Sequence, residues 1–332
     1  MDSGSAATGC GVRAVPRPAR FPGRRADGVA VPGRNRLPTT PRASIGLPVF
    51  NGERYLAPAI SSLLAQDYTD FELVIGDNGS TDATEEICRE ALAADPRVRY
   101  LRSSVNRGAA WNFNRVFNAS TGGYFRWAAY DDLVAPAHLG RCVEILDVTG
   151  PEVALAYTKT AMIDEFGNPA GDYDEGFDAS DPRPHVRVAR IARHLVRSNV
   201  LFGLLRREVM ERTNLHGAYP SADWTLIVEW AMQGAFVQAP ERLFYRRLHP
   251  GMSRTAHART SDLAEWFQPG SGATARPEFL RLFAEQCAAI GRAPVDVRSR
   301  LLAGAWYAPS FFVRHRRSIA RETKALLLRR GA

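Results

Sequence analysis

Cysteine is scarce: Cys10, Cys88, Cys142 and Cys287 are the only four in 332 residues. None falls in a C-x-x-C pair, which excludes the usual structural zinc sites and a disulfide framework and predicts a reducing compartment. Long apolar runs are missing too. No stretch approaches the roughly 18 apolar residues of a membrane-spanning helix, and the N-terminus lacks the apolar core of a secretory signal. No basic, glycine-rich phosphate loop follows the first strand, where a nucleotidyltransferase would want one. A Gly-x-Gly-x-x-Ala string does occur at Gly270–Ala275, but it follows no strand and fails as a dinucleotide-binding fingerprint. No internal repeat is present.

Arginine is abundant, and its excess sits at the two ends. The chain has 43 Lys and Arg against 35 Asp and Glu, a net charge of +8. Residues 1–42 hold eight arginines against Asp2 and Asp27, and residues 314–330 hold seven cations against Glu322. The middle is therefore slightly acidic, which argues against a nucleic-acid surface on the body. Residues 1–42, rich in Arg, Pro and Gly, cannot bury enough apolar surface to offset their ordering entropy and read as a disordered basic leader. The tail from Phe311 has two readings. It suits a basic amphipathic helix on an anionic membrane, or a solvated helix packing its leucines on the body. A cytoplasmic protein is expected, with peripheral contact at the inner face of a membrane as the further expectation.

Order is expected to begin at Ala43, with a strand over 43–50. Apolar spacing at Tyr55, Leu56, Ile60 and Leu63 predicts a helix over 53–66. A second strand spans 71–76, and Asp82 with Glu85 forms a capping-box pattern that opens a helix to about Ala94. A short strand at 98–101 and a helix at 109–119 follow. The run Tyr124 to Tyr130 reads as a buried strand that ends in Asp131 and Asp132. A helix over 138–146 and a strand over 153–162 continue the alternation. Strands alternating with helices predict a doubly wound α/β sheet, mainly parallel. Beyond Asp164 the pattern weakens: a long loop over 165–185, a helix at 187–197, a strand at 201–205, a helix at 224–232 and a strand at 236–248. The remainder, from about Leu263, is expected to be mostly helical.

In such sheets ligands gather at the carboxyl ends of the strands. Adjacent carboxylates at a strand end suit a hard divalent cation that shares oxygen ligands with phosphates. Taken alone, they better suit a helix cap or turn. Asp77-Asn78-Gly79-Ser80 also closes a buried strand ahead of a helix start, where free N–H groups favour an anion.

Taken together, these elements resemble family 2 glycosyltransferases of the GT-A fold, from Ala43 to about Ser253. Pro48-Val49-Phe50-Asn51-Gly52-Glu53 resembles the family's opening strand and turn, and Asp77 matches the first Asp of its D-D-G-S-T-D element. Asn106, Gly108 and Asn114 match the N-x-G…N element. Tyr130-Asp131-Asp132 stands at the D-x-D motif, with Tyr130 in place of its first Asp. The resemblance implies nucleotide contacts from Pro48, Phe50, Asn51, Glu53, Asp77, Asn106, Gly108, Asn114 and Asp131. It implies metal ligation by Asp132 and His249, and a charge clamp from Arg247 in an R-x-H-x-x-x-S segment that ends at Ser253. Asp223 matches the second residue of the family's E-D pair, with Ala222 in place of the Glu, and is the expected general base. The residues alone favour an N-cap at Asp223 for the helix at 224–232.

The domains implied are a basic leader (1–42), a GT-A domain (43–255) and a helical extension with a basic tail (256–332). The activity implied is inverting, Mn²⁺- or Mg²⁺-dependent transfer from a nucleotide-diphosphate sugar, a UDP-sugar by preference, to a carbohydrate or lipid-linked acceptor. Cell-surface polysaccharide or glycolipid assembly is the setting. The runner-up is a non-catalytic sugar-nucleotide-binding protein descended from such an enzyme, since Tyr130 and Ala222 replace two carboxylates.

Overall fold

The computed structural model describes residues 40–252, 260–269 and 277–330. Most of the expected leader, Ser253 and the Gly270–Ala275 string lie outside the described residues. Strands β1 (Ala43–Val49) and β2 (Phe71–Asp77) are buried at every position. A continuous apolar run of this kind can be covered only by helices on both faces, which makes it a parallel strand. β1 pairs in parallel with β2 and with β4 (Tyr124–Trp127), and β2 pairs in parallel with β3 (Val98–Arg102).

The remaining strands extend the sheet past β4. In space the order is β3-β2-β1-β4-β8-β6-β9-β5, with β5 at Leu133–Val134, β6 at Val153–Ile163, β8 at Leu204–Arg206 and β9 at Ala235–Arg247. β6 and β9 are parallel, whereas β8 runs antiparallel to both β4 and β6, and β5 antiparallel to β9. β7 (Pro169–Tyr173) forms an antiparallel hairpin on β6.

Two apolar layers flank the sheet. On one face lie α1 (Leu56–Leu64), α2 (Thr84–Ala94) and α4 (His138–Val148), through Ile60, Cys88, Leu139 and Val143. The other face carries α3 (Ala109–Ala119), α5 (Pro184–His194) and α7 (Ala222–Gln233). Helices α9 (Glu278–Arg292) and α10 (Val297–Arg330) add Leu282, Tyr307 and Phe311 to this second layer. Trp127 is its centre, stacked 6.2 Å from Trp230, edge-on to Phe125, and donating from its indole N–H to Phe113 O.

Several local expectations are corrected. The long loop at 165–185 contains β7 and the first turn of α5, which begins at Pro184 because proline is preorganised for that position. The strand expected at 201–205 splits into a 3₁₀ turn (Asn199–Phe202) and β8, and a short helix α6 (Arg207–Glu211) follows. The capping box does not form. The cap of α2 is Ala83 without a side-chain bond. Glu85 instead pairs with Arg89 and Arg102, while Asp82 accepts from the N–H groups of Thr84 and Glu53.

Candidate functional site

β1, β2 and β4 run parallel and end side by side, and a cavity of about 200 Å³ opens near their carboxyl ends. One wall carries Pro48, Phe50, Asn78 and Asn106; the other carries Tyr130, Asp131, Asp132, Arg246 and Arg247. Phe202, from the 3₁₀ turn, and Trp266, from helix α8 (Thr260–Phe267), also line it.

The first wall is built by two loops stitched together. Asn51 turns the chain with a positive φ of 50°, and its carboxamide oxygen accepts from Thr81 N–H at 2.9 Å. In return Asn51 N–H donates to Ser80 Oγ, Gly52 N–H to Thr84 Oγ1, and Ala83 N–H to Glu53 Oε2. The expected contacts Asn51 and Glu53 are thus occupied in holding the loops in register, and neither lines the cavity.

Asp77 is fully buried, and its carboxylate does not line the cavity. It accepts from Ser80 N–H, Tyr100 Oη and the Arg102 guanidinium at 2.9, 2.8 and 2.6 Å. Burial pushes its pKa up, but these bonds win and hold it below the usual carboxylate range. Its neighbour Asn78 lines the cavity and grips the next loop, donating to Asn106 Oδ1 and Gly108 O and accepting from Arg107 N–H. Gly108 has φ +87°, and a Cβ there would meet Phe267 O at 2.2 Å. Only glycine allows α8 to approach this closely. Asn114 stands on another side of α3, where it both donates to and accepts from the backbone of His216.

The second wall is acidic, then basic. Asp131 Oδ2 lies 2.8 Å from His249 Nε2, whose ring packs 4.7 Å from Tyr55. Asp132 is buried and accepts from Arg247 N–H at 2.8 Å. Burial and the adjacent Asp131 charge push the Asp132 carboxyl up to about 7, against the pull of Arg246 and Arg247. Arg247 is committed to the backbone, donating to the carbonyls of Asp131, Asp164 and Glu165. Arg246, one residue earlier, lines the cavity and donates to Asn199 Oδ1.

Asp223 occupies the first turn of α7. The helix starts at Ala222 and its cap is Ser221, so Asp223 is not the N-cap. Ser221 adopts φ 62°, a left-handed conformation that costs a non-glycine residue about 1 kcal/mol or more. Asp223 Oδ2 accepts from Ser198 Oγ, which precedes the 3₁₀ turn that brings Phe202 to the cavity. Asp223 does not itself line the cavity.

Glu175, Asn78, Arg246, Phe202 and Trp266 were not anticipated. Glu175 is 4% exposed, and neither of its oxygens has a hydrogen-bond partner of good geometry. Burial pushes it up to about 8, although Arg246 and the N–H groups of Val200 and Asn199 oppose this. A carboxyl with its folded-state value raised is stabilising while protonated. Its contribution is full below the unfolded value near 4.5 and is lost as pH rises through about 8. Glu175→Gln is therefore expected to be near neutral at pH 4.5 and to stabilise by up to about 4 kcal/mol at pH 9, by urea unfolding. An equal effect at both pH values would show that Glu175 is not buried as a neutral acid.

The donor set at Asp131, Asp132 and His249 suits a hard cation that takes one or two carboxylates and completes its shell with phosphate oxygens. Among the described residues no group of three or more His, Cys, Asp or Glu could hold a metal by itself.

Residues 44–180 match the family model for glycosyl transferase family 2. Escherichia coli chondroitin synthase is 35% identical over 134 residues, which are 40% of this chain and 19% of that protein. The chain covers 18 to 38% of the length of the rickettsial glycosyltransferases it matches. Among solved structures, S. aureus TarS in complex with UDP-GlcNAc aligns with a TM-score of 0.62 and 17% identity, over 82% of this chain and 73% of that one. A Pyrobaculum calidifontis mannosyltransferase in complex with GDP-Man and Mn²⁺ aligns with a TM-score of 0.50 and 16% identity, over 86% and 88% of the two chains. At these identities the structural likeness speaks for the fold, and the fold is GT-A.

Proposed function

We propose that this chain, whose residues 44–180 match the family model for glycosyl transferase family 2, transfers a sugar from a nucleotide-diphosphate donor to an acceptor hydroxyl with inversion. The observation that carries this reading is that the acidic pair Asp131–Asp132 and Arg246 line one cavity at the parallel strand ends. The donor is a UDP-sugar, which the UDP-GlcNAc complex of the TarS neighbour supports. Pro48, Phe50, Asn78 and Asn106 hold the nucleoside, with Asp77, Asn51, Glu53 and Asn114 fixing the loops that present them. Gly108 lets α8 and its Trp266 close over that wall.

Arg246 contacts the diphosphate, and Arg247 pins the backbone of Asp131 so that the carboxylates of Asp131 and Asp132 face the same space. A divalent cation held by Asp132, with Asp131 or His249 beside it, would neutralise charge developing on the departing diphosphate. Asp223 takes the acceptor's proton as general base, and attack from the face opposite the leaving group inverts the anomeric centre. The acceptor is a carbohydrate or lipid-linked glycan of cell-surface polysaccharide or glycolipid assembly.

Calorimetric titration with UDP, GDP and dTDP, with and without Mn²⁺, tests the donor site. UDP is expected to bind at least about tenfold more tightly than the other two, a difference of about 1.4 kcal/mol, and more tightly with Mn²⁺ than without. Failure of all three nucleotides to bind overturns the assignment. Binding without turnover for any sugar donor would favour the non-catalytic reading that Tyr130, at the cavity wall in place of a carboxylate, keeps open.

A further inference from the structure

Helix α10 is long, and its outer part is uncovered. Ala303, Tyr307, Phe311 and His315, spaced by four, form its buried stripe against the body. Phe283 of α9 stacks on Tyr307 and Phe311. The last anchor is Glu322, whose carboxylate accepts from the N–H groups of Phe279 and Leu280 at the start of α9. Beyond it, residues 323–328 are all exposed, with Leu327 and Leu328 each 66% accessible. Leu327 and Leu328 therefore do not pack on the body.

Trp306, Val313, Ala320 and Leu327 recur every seven residues and so lie away from the buried stripe, with Trp306, half exposed, also meeting the His185 ring edge-on at 5.2 Å. Trp306, Val313 and Leu327 are all about half exposed or more. Arg316, Arg317, Arg321 and Lys324 flank this stripe and are exposed as well. The helix as a whole holds nine Lys and Arg against Glu322 alone. Apolar residues bordered by cations, on a helix too polar to cross a bilayer, are the pattern of an interfacial helix.

We infer that the outward face and the far end of α10 dock on an anionic lipid surface. Charge complementarity selects a negative partner, because Lys and Arg near an anionic leaflet are attracted within a Debye length. The apolar stripe selects lipid over nucleic acid, which would leave Trp306 and Leu327 in water. The end of the helix adds shape. Leu326, Leu327 and Leu328 diverge by about 100° per residue, so one helix-binding groove does not receive all three, whereas the acyl boundary receives a helix end from every side. This inference is independent of the sugar-transfer reading.

The test uses the full chain with sedimenting vesicles of phosphatidylcholine alone or mixed with phosphatidylglycerol. Binding is expected only to the mixed vesicles, and to weaken steeply as salt is raised. Two variants separate the contributions: Arg317→Glu with Arg321→Glu and Lys324→Glu, and Trp306→Ser with Leu327→Ser and Leu328→Ser. Each is expected to lose at least tenfold in vesicle affinity. All of these side chains are exposed, and circular dichroism confirms that each variant remains folded. Wild-type affinity for anionic vesicles in either folded variant overturns the inference, as does absence of binding by the parent chain.

Discussion

Asp223→Asn is expected to lower sugar transfer by about 10²–10⁴-fold, the contribution of a positioned general base, while leaving nucleotide affinity unchanged. The exchange keeps the shape of the side chain and its acceptor for Ser198 Oγ. What it removes is the ability to take a proton. Asp223 stands in the first turn of α7, where the helix dipole favours a carboxylate. That turn follows a left-handed Ser221, whose hydroxyl donates to Glu278 at 2.7 Å. A strained conformation of this kind persists only where its surroundings hold it, and here a second helix does so through Glu278. His216, buried and held below its ordinary value by that burial, feels the Asp223 charge in the opposite sense. A purely structural Asp223 would instead show as a loss of urea stability with kcat intact. Transfer at the parent rate in Asp223→Asn refutes the assignment outright.

Asp132→Asn is expected to abolish the Mn²⁺-dependent part of nucleotide binding, by about a hundredfold, or 2.7 kcal/mol. Affinity without Mn²⁺ should stay the same. The asparagine carboxamide oxygen can still accept from Arg247 N–H, so the wall keeps its geometry. The charge is gone, however, and a hard cation binds an amide far less well than a carboxylate. No hydrogen bond to the second Asp132 oxygen occurs among the described residues, which leaves that oxygen for a ligand. If Mn²⁺ dependence survives this substitution, the acidic pair is not where the cation sits. Calorimetry on the parent and the variant, at one pH and ionic strength, decides it.

Much of the architecture was legible in the residues. β1 and β2 are buried throughout and apolar but for Ser44, Glu72 and Asp77, and α1 between them carries a period-four apolar stripe, so local chemistry and global fold agree. The segments misread were the weakly patterned ones. β7 is exposed over most of its length and forms only because β6 offers it an edge. The turn at 199–202 is apolar enough to pass for strand, and its curl reflects where Phe202 must go. The order of the glycosyltransferase-like motifs placed the site at the strand ends, and the cavity does open there.

By itself the sequence determined the alternation of strands and helices up to β4, the parallel core and the acidic pair at Asp131–Asp132, because burial periodicity and strand-end chemistry are local properties. Which partners each member of an adjacent pair finds was decided only by tertiary structure. Asp77 is claimed by Tyr100 and Arg102 on β3, leaving Asn78 for the cavity. Arg246 and Arg247 both reach the cavity wall, but the Arg247 guanidinium is claimed by carbonyls more than eighty residues away, whereas Arg246 donates to the Asn199 side chain. A polar side chain that enters a folded core must find partners. Those partners lie on other elements, so the choice is made when the sheet assembles.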